Sequence, residues 1–173
     1  MHKPLIAVDI CLMLDLAASF EETCSSVGKI RSHSSQPQLI VTRTVIGVLS
    51  QIAETATEEV DRALADLALT HTINYFSMKA FNTLPVGAGI SEEFAKRLER
   101  DKLIPTGATS TSETLIEAAL LQCDFLMTTD RLLLEADFNR VSAVLHSCDI
   151  GNPCIGNPDS VLEMLHLSKK QKR

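Results

Sequence analysis

The sequence predicts an α/β domain built on a mainly parallel sheet. Short apolar runs without polar alternation recur, LIAVD at 5–9, LIVT at 39–42 and DFLMT at 124–128, as in strands buried on both faces. Stretches with apolar residues at three- and four-residue steps lie between them, as in helices packed on a sheet. The two kinds alternate along the chain, which is the order of βαβ units. The 173 residues suit one domain. We place it at 1–168, followed by a basic tail at 169–173.

The first strand, 5–9, ends on Asp9. CLMLDLAASFEETCSSV follows as a helical stripe, with Leu12, Leu16, Phe20 and Cys24 at four-residue steps. SHSSQPQ, 32–38, is a polar loop, and LIVT is a second strand. Residues 44–57 read as a helix with Val45, Val48, Leu49 and Ile52 on one side. Residues 58–69 read as another, with Val60, Leu64 and Leu67 together. The stretch 72–90 fits a short strand and a loop, and its apolar part, 75–86, is either a dimer or partner surface or plain core. Ser91 reads as the N-cap of EEFAKRLERDKL. The turn formers IPTGATSTS lead to a helix at 112–122, a strand at 124–128, a short helix at 131–136 and a further strand at 141–146. Asn157 caps a last helix, with Pro158 at its first position, where a missing N–H costs nothing.

Hydrophobic residues make up 45% and charged residues 22%, which suits a folded core rather than disorder. The net charge of −6 argues against a broad basic surface that grips nucleic acid by charge alone. The tail cluster Lys169, Lys170, Lys172 and Arg173 reads as a solvated end. Five cysteines, with no zinc-knuckle spacing, suit a reducing cytoplasm, with Cys11 and Cys123 as small core residues. Asp9 and Asp15 break the apolar N-terminus, and no run reaches membrane-span length.

Asp9 and Asp130 each close a predicted strand, and open α/β sheets bind ligands at the carboxyl ends of their strands. Glu113 and Glu117, four residues apart, share one helix face. Glu117 interrupts an apolar stretch, where a buried acid needs compensation; alternatively it faces water. Clustered carboxylates without nearby histidine suit hard cations such as Mg²⁺ or Mn²⁺. Such an ion activates water and steadies the charge of phosphodiester hydrolysis. In a competing reading, Asp9 and Asp130 are helix N-caps and nothing more. No GxGxxG, P-loop or serine triad supports another chemistry.

These residues resemble the PIN domain family. LIAVDICLMLDL is similar to its opening strand and helix, IEAALLQCDFLMTTD to its later helix and Thr-x-Asp strand, and VSAVLHSCDIGNPCIGNPDSVLEML to its closing segment. The resemblance implies a three-layer α/β/α sandwich and a Mg²⁺- or Mn²⁺-dependent site that cleaves single-stranded RNA. It also implies a small antitoxin protein as partner in many bacterial members, and often a homodimer. Carried onto this chain, Asp9 and Asp130 are metal ligands and catalytic acids, with Glu113 or Glu117 as a third. Thr128 is a supporting residue, Asp15 a peripheral acid and Asp124 a structural one. The chain departs from the family at Val48, which stands where the helix after the second strand usually carries Glu. Glu54 is turned away from that position. A degenerate, non-catalytic module binding RNA or a protein is therefore the alternative function.

Overall fold

Strands β1 (Leu5–Val8), β2 (Gln38–Thr42), β3 (Lys79–Phe81), β4 (Phe125–Met127) and β5 (Cys154–Gly156) form one sheet, all parallel, in the order β3-β2-β1-β4-β5. The computed structural model describes residues 3–81, 85–104 and 109–170, with only the backbone at 85–88 and 168–170. The chain lays β2 and β3 on one side of β1, then returns to place β4 and β5 on the other. That reversal between β1 and β4 is the topological switch point.

Alternation along the pleat sorts the strand residues into two cores. Ile6, Val8, Leu39, Val41 and Met127 belong to one apolar cluster, and Ala7, Ile40 and Leu126 to the other. Helices α1 (Ile10–Ala17), α2 (Glu21–Arg31), α3 (Arg43–Thr55) and α4 (Glu59–Leu67) cover the first face. A wide π turn (Ala68–Thr72) and the single turn α5 (Ile73–Tyr75) follow α4. Helices α6 (Pro85–Arg100), α7 (Thr109–Leu120), α8 (Arg131–Leu134) and α9 (Phe138–Ser147) cover the second face. The last helix, α10 (Pro158–Lys170), returns to the first through Val161 and Leu165. The result is the expected three-layer sandwich. Among the described residues no helix is long and apolar enough to cross a membrane.

Several expectations are corrected. The stripe through Phe20 is two helices, because α1 stops at a turn in which Ser19 takes a left-handed φ of 58°. Leu12 and Leu16 are buried as expected, but the turn throws Phe20 outward, 57% exposed. On α4 the stripe is only half used: Val60 is 67% and Leu67 43% exposed. Ser91 lies inside α6 rather than at its start.

The segment 141–146 is part of α9, not a strand. Val141 and Leu145 stand one helical turn apart and are both buried, and Asp137 caps the helix through the Arg140 N–H at 3.3 Å. The fifth strand comes instead from Cys154–Gly156. Residues 75–86 divide: Tyr75 is exposed, Phe76 and Met78 are buried, and 82–84 lie outside the described residues. The turn at 105–108 and the tail end at 171–173 lie outside them too, while Lys169 and Lys170 continue α10. Asn157 caps that helix as expected, accepting the Ser160 N–H at 2.9 Å.

Candidate functional site

Val8 pairs in register with Val41 on one side and Met127 on the other. The next residue on each strand is therefore Thr42, Asp9 or Thr128, a polar row across the carboxyl end of the sheet. All three are buried, at 0%, 3% and 0% exposure. Continued alternation puts them on the face of Ala7, Ile40 and Leu126, beneath α7. The Thr42 and Ser112 hydroxyls, both buried, find no hydrogen-bond partner among the described residues.

Asp9 is held twice. Its Oδ1 accepts the Leu12 N–H at 2.9 Å, capping α1, and its Oδ2 accepts the Thr128 hydroxyl at 2.5 Å. The Thr128 oxygen in turn accepts the Asp130 N–H at 2.9 Å. Asp130 caps α8 through the Leu132 N–H at 2.9 Å, and its Oδ2 accepts the Thr111 hydroxyl at 3.3 Å. Both strand-end acids are thus N-caps, as the competing reading expected. The cap leaves room for more, because each carboxylate oxygen carries two lone pairs. Asp15, near the end of α1, accepts the Thr129 hydroxyl at 2.5 Å. Asp124 accepts the Leu5 N–H at 2.8 Å and so locks β4 beside β1, the structural part expected of it.

Burial pushes the Asp9 carboxyl up to about 7. The charges of Asp130 and Asp15 push the same way, against the hydrogen bonds from Thr128 and Leu12. Cys11, expected in the core, is half-buried beside these acids. Burial raises its thiol to about 12, helped by the charges of Asp9, Asp130 and Asp15, so it is not a nucleophile.

A second set of acids lies on α7. Glu117 is 1% exposed, which removes the expectation that it faces water. It accepts the Thr44 N–H at 3.0 Å, while Glu113 stands 3.5 Å from the Thr44 hydroxyl. Burial and the charges of Glu117 and Glu92 raise the Glu113 carboxyl. Both glutamates line a cavity of about 310 Å³ with Arg43, Val48 and Glu92. Val48 lines the same cavity, turned from Val45, Leu49 and Ile52, with which it was expected to share one side and which join the first apolar cluster; Glu54 is exposed and outside the cavity.

The two sets share one edge without merging. The charges that raise Asp9 come from Asp130 and Asp15; those that raise Glu113 come from Glu117, Glu92 and Glu99. The first turns of α7 join them, since Thr111 reaches Asp130 and Glu113, two residues on, reaches Thr44. Among the described residues no three His, Cys, Asp or Glu side chains converge on one point that could hold a metal. The donors do not fit a closed three-ligand centre. The orphaned Thr42 and Ser112 hydroxyls add polar groups at that edge.

Sequence reasoning missed Thr44, Thr111 and Thr129 and left Asp15 at the periphery. Single threonines in a turn-rich sequence carry no signal of which carboxylate they will meet.

No family model matches this chain, and no curated protein matches it. Among solved structures, a chain of VapBC2 from Rickettsia felis, bound to a DNA fragment from their promoter, is similar in fold. The TM-score is 0.56 and the identity 11%, over 88% of this chain and 98% of that one. With its five-stranded parallel sheet between two helical layers and acids at the switch point, the chain has a PIN-like fold.

Proposed function

We propose that this protein is a PIN-like nuclease that cleaves single-stranded RNA with Mg²⁺ or Mn²⁺, paired as a toxin with a small antitoxin protein. The observation that carries the reading is the placement of Asp9 and Asp130 at the ends of adjacent parallel strands, where the strand order reverses. The likeness to a VapBC2 chain supports an antitoxin partner.

Asp9 and Asp130 would hold the ion, and Glu113 and Glu117 line the cavity beside them. The ion, when bound, lowers the pKa of a water and offsets phosphodiester charge. Thr128 holds Asp9 and Asp130 together and keeps Asp9 less basic than burial alone would make it. Arg43, exposed and lining the glutamate cavity, gives the acidic edge a cation for an incoming phosphate.

The test is cleavage of a mixed-sequence single-stranded RNA with Mn²⁺, Mg²⁺ or EDTA, comparing wild type with Asp130→Asn. Metal-dependent cutting lost in the variant supports the nuclease. A folded wild type that does not cut supports the second reading, a non-catalytic module binding RNA or a protein. Val48 and the lack of a three-acid group among the described residues favour that alternative.

A further inference from the structure

Three consecutive residues after β4 are each tied to a different element. Thr128 bonds Asp9 at the end of β1, Thr129 bonds Asp15 in the last turns of α1, and Asp130 accepts from Thr111 on α7. Helix α1 is thereby held at both ends by the Thr128–Thr129 pair: its N-cap is Asp9, and Asp15 lies near its other end.

Asp15 is oddly placed for a residue with no further part. A carboxylate near a helix C-terminus opposes the helix dipole. None of the ion pairs among the described residues involves Asp15, and α1 has no basic residue in its last turn. Its charge also disfavours ionisation of Asp9. What it gains is the 2.5 Å bond from Thr129, the residue directly before Asp130.

We propose that the Thr129–Asp15 hydrogen bond is a clasp that aims Asp130 at the Asp9 edge, making both positioning residues for the site. This rests on the reading of Asp9 and Asp130 as the reacting edge. A hydroxyl pulled toward α1 sets the backbone of the turn, so that the Asp130 N–H meets Thr128 and its carboxylate meets Leu132 and Thr111. The clasp touches no substrate and transfers no proton.

The experiment compares wild type, Thr129→Val and Thr129→Ser by amide hydrogen exchange and by Mn²⁺-induced thermal shift. In Thr129→Val the Asp130 and Leu132 amides are expected to exchange about tenfold faster, with the β1 and β2 amides unchanged, and Thr129→Ser to restore the wild-type rates. The Mn²⁺ concentration giving half the thermal shift is expected to rise about fivefold in Thr129→Val and return in Thr129→Ser. Unchanged exchange at Asp130 and Leu132 in Thr129→Val overturns the clasp, whatever the metal does. Faster exchange in a protein whose wild type shows no Mn²⁺ shift supports the clasp and counts against the cation reading.

Discussion

The Thr128 hydroxyl donates a hydrogen bond to Asp9 at 2.5 Å and accepts one from the Asp130 N–H at 2.9 Å, so one buried hydroxyl joins the two strand-end acids. Replacing it with Val keeps the volume but leaves Asp9 Oδ2 and the Asp130 N–H without that partner. Buried polar groups stripped of a partner cost roughly 1–3 kcal/mol. Thr128→Val is therefore expected to lower stability by about 2 kcal/mol in urea unfolding, with Thr128→Ser close to wild type. Equal stability of the Val variant would show that the bond contributes nothing net.

Asp9 yields a pH dependence of definite sign. Its carboxyl ionises near 7 in the fold against 3.8 ordinarily. Between those values the folded state binds more protons than the unfolded one, so this group's contribution to stability falls as pH rises from about 4 to 7 and is flat above. Asp9→Asn keeps an N-cap and removes the buried charge. It is expected to be more stable than wild type at pH 8, by up to about 4 kcal/mol, with the advantage shrinking toward pH 4. Denaturation midpoints across that range decide it; a constant gap would mean that Asp9 titrates normally.

Val48 faces the cavity of Glu113 and Glu117, so Val48→Glu adds a carboxylate to a pair already in mutual repulsion. Without metal it is expected to melt lower, by a cost of about 1 kcal/mol for like charges at such spacing. With Mn²⁺ the loss is expected to be recovered, at a half-saturating concentration about tenfold below wild type, since affinity follows carboxylate count. A midpoint unchanged from wild type would place the ion away from this cavity.

Gly151 passes against α7, its N–H bonded to the Ala119 carbonyl at 3.0 Å. A Cβ there would meet that backbone oxygen at 2.5 Å. Gly151→Ala is expected to cost about 1–3 kcal/mol through forced backbone movement. A thermal melt matching wild type would show that the loop yields freely.

The parallel sheet, the helical layers and the acids at the strand ends are legible in the residues alone. Short unbroken apolar runs bounded by turn signals suit strands covered on both faces, and that signal is local. Helix spacing groups Val48 with Val45, Leu49 and Ile52, yet those three join the apolar cluster while Val48 lines the glutamate cavity. The rest depends on partners distant in the chain. Residues 141–146 carry β-branched residues that suit a strand, yet they pack as α9 because the fifth sheet position goes to Cys154–Gly156. Glu117 could face water or core on one helix, and inside the fold it meets the Thr44 N–H, 73 residues away. The threonines that hold Asp9, Asp15, Asp130 and Glu113 each come from another element. Their pairing is a property of how the layers close, which no stretch of sequence contains.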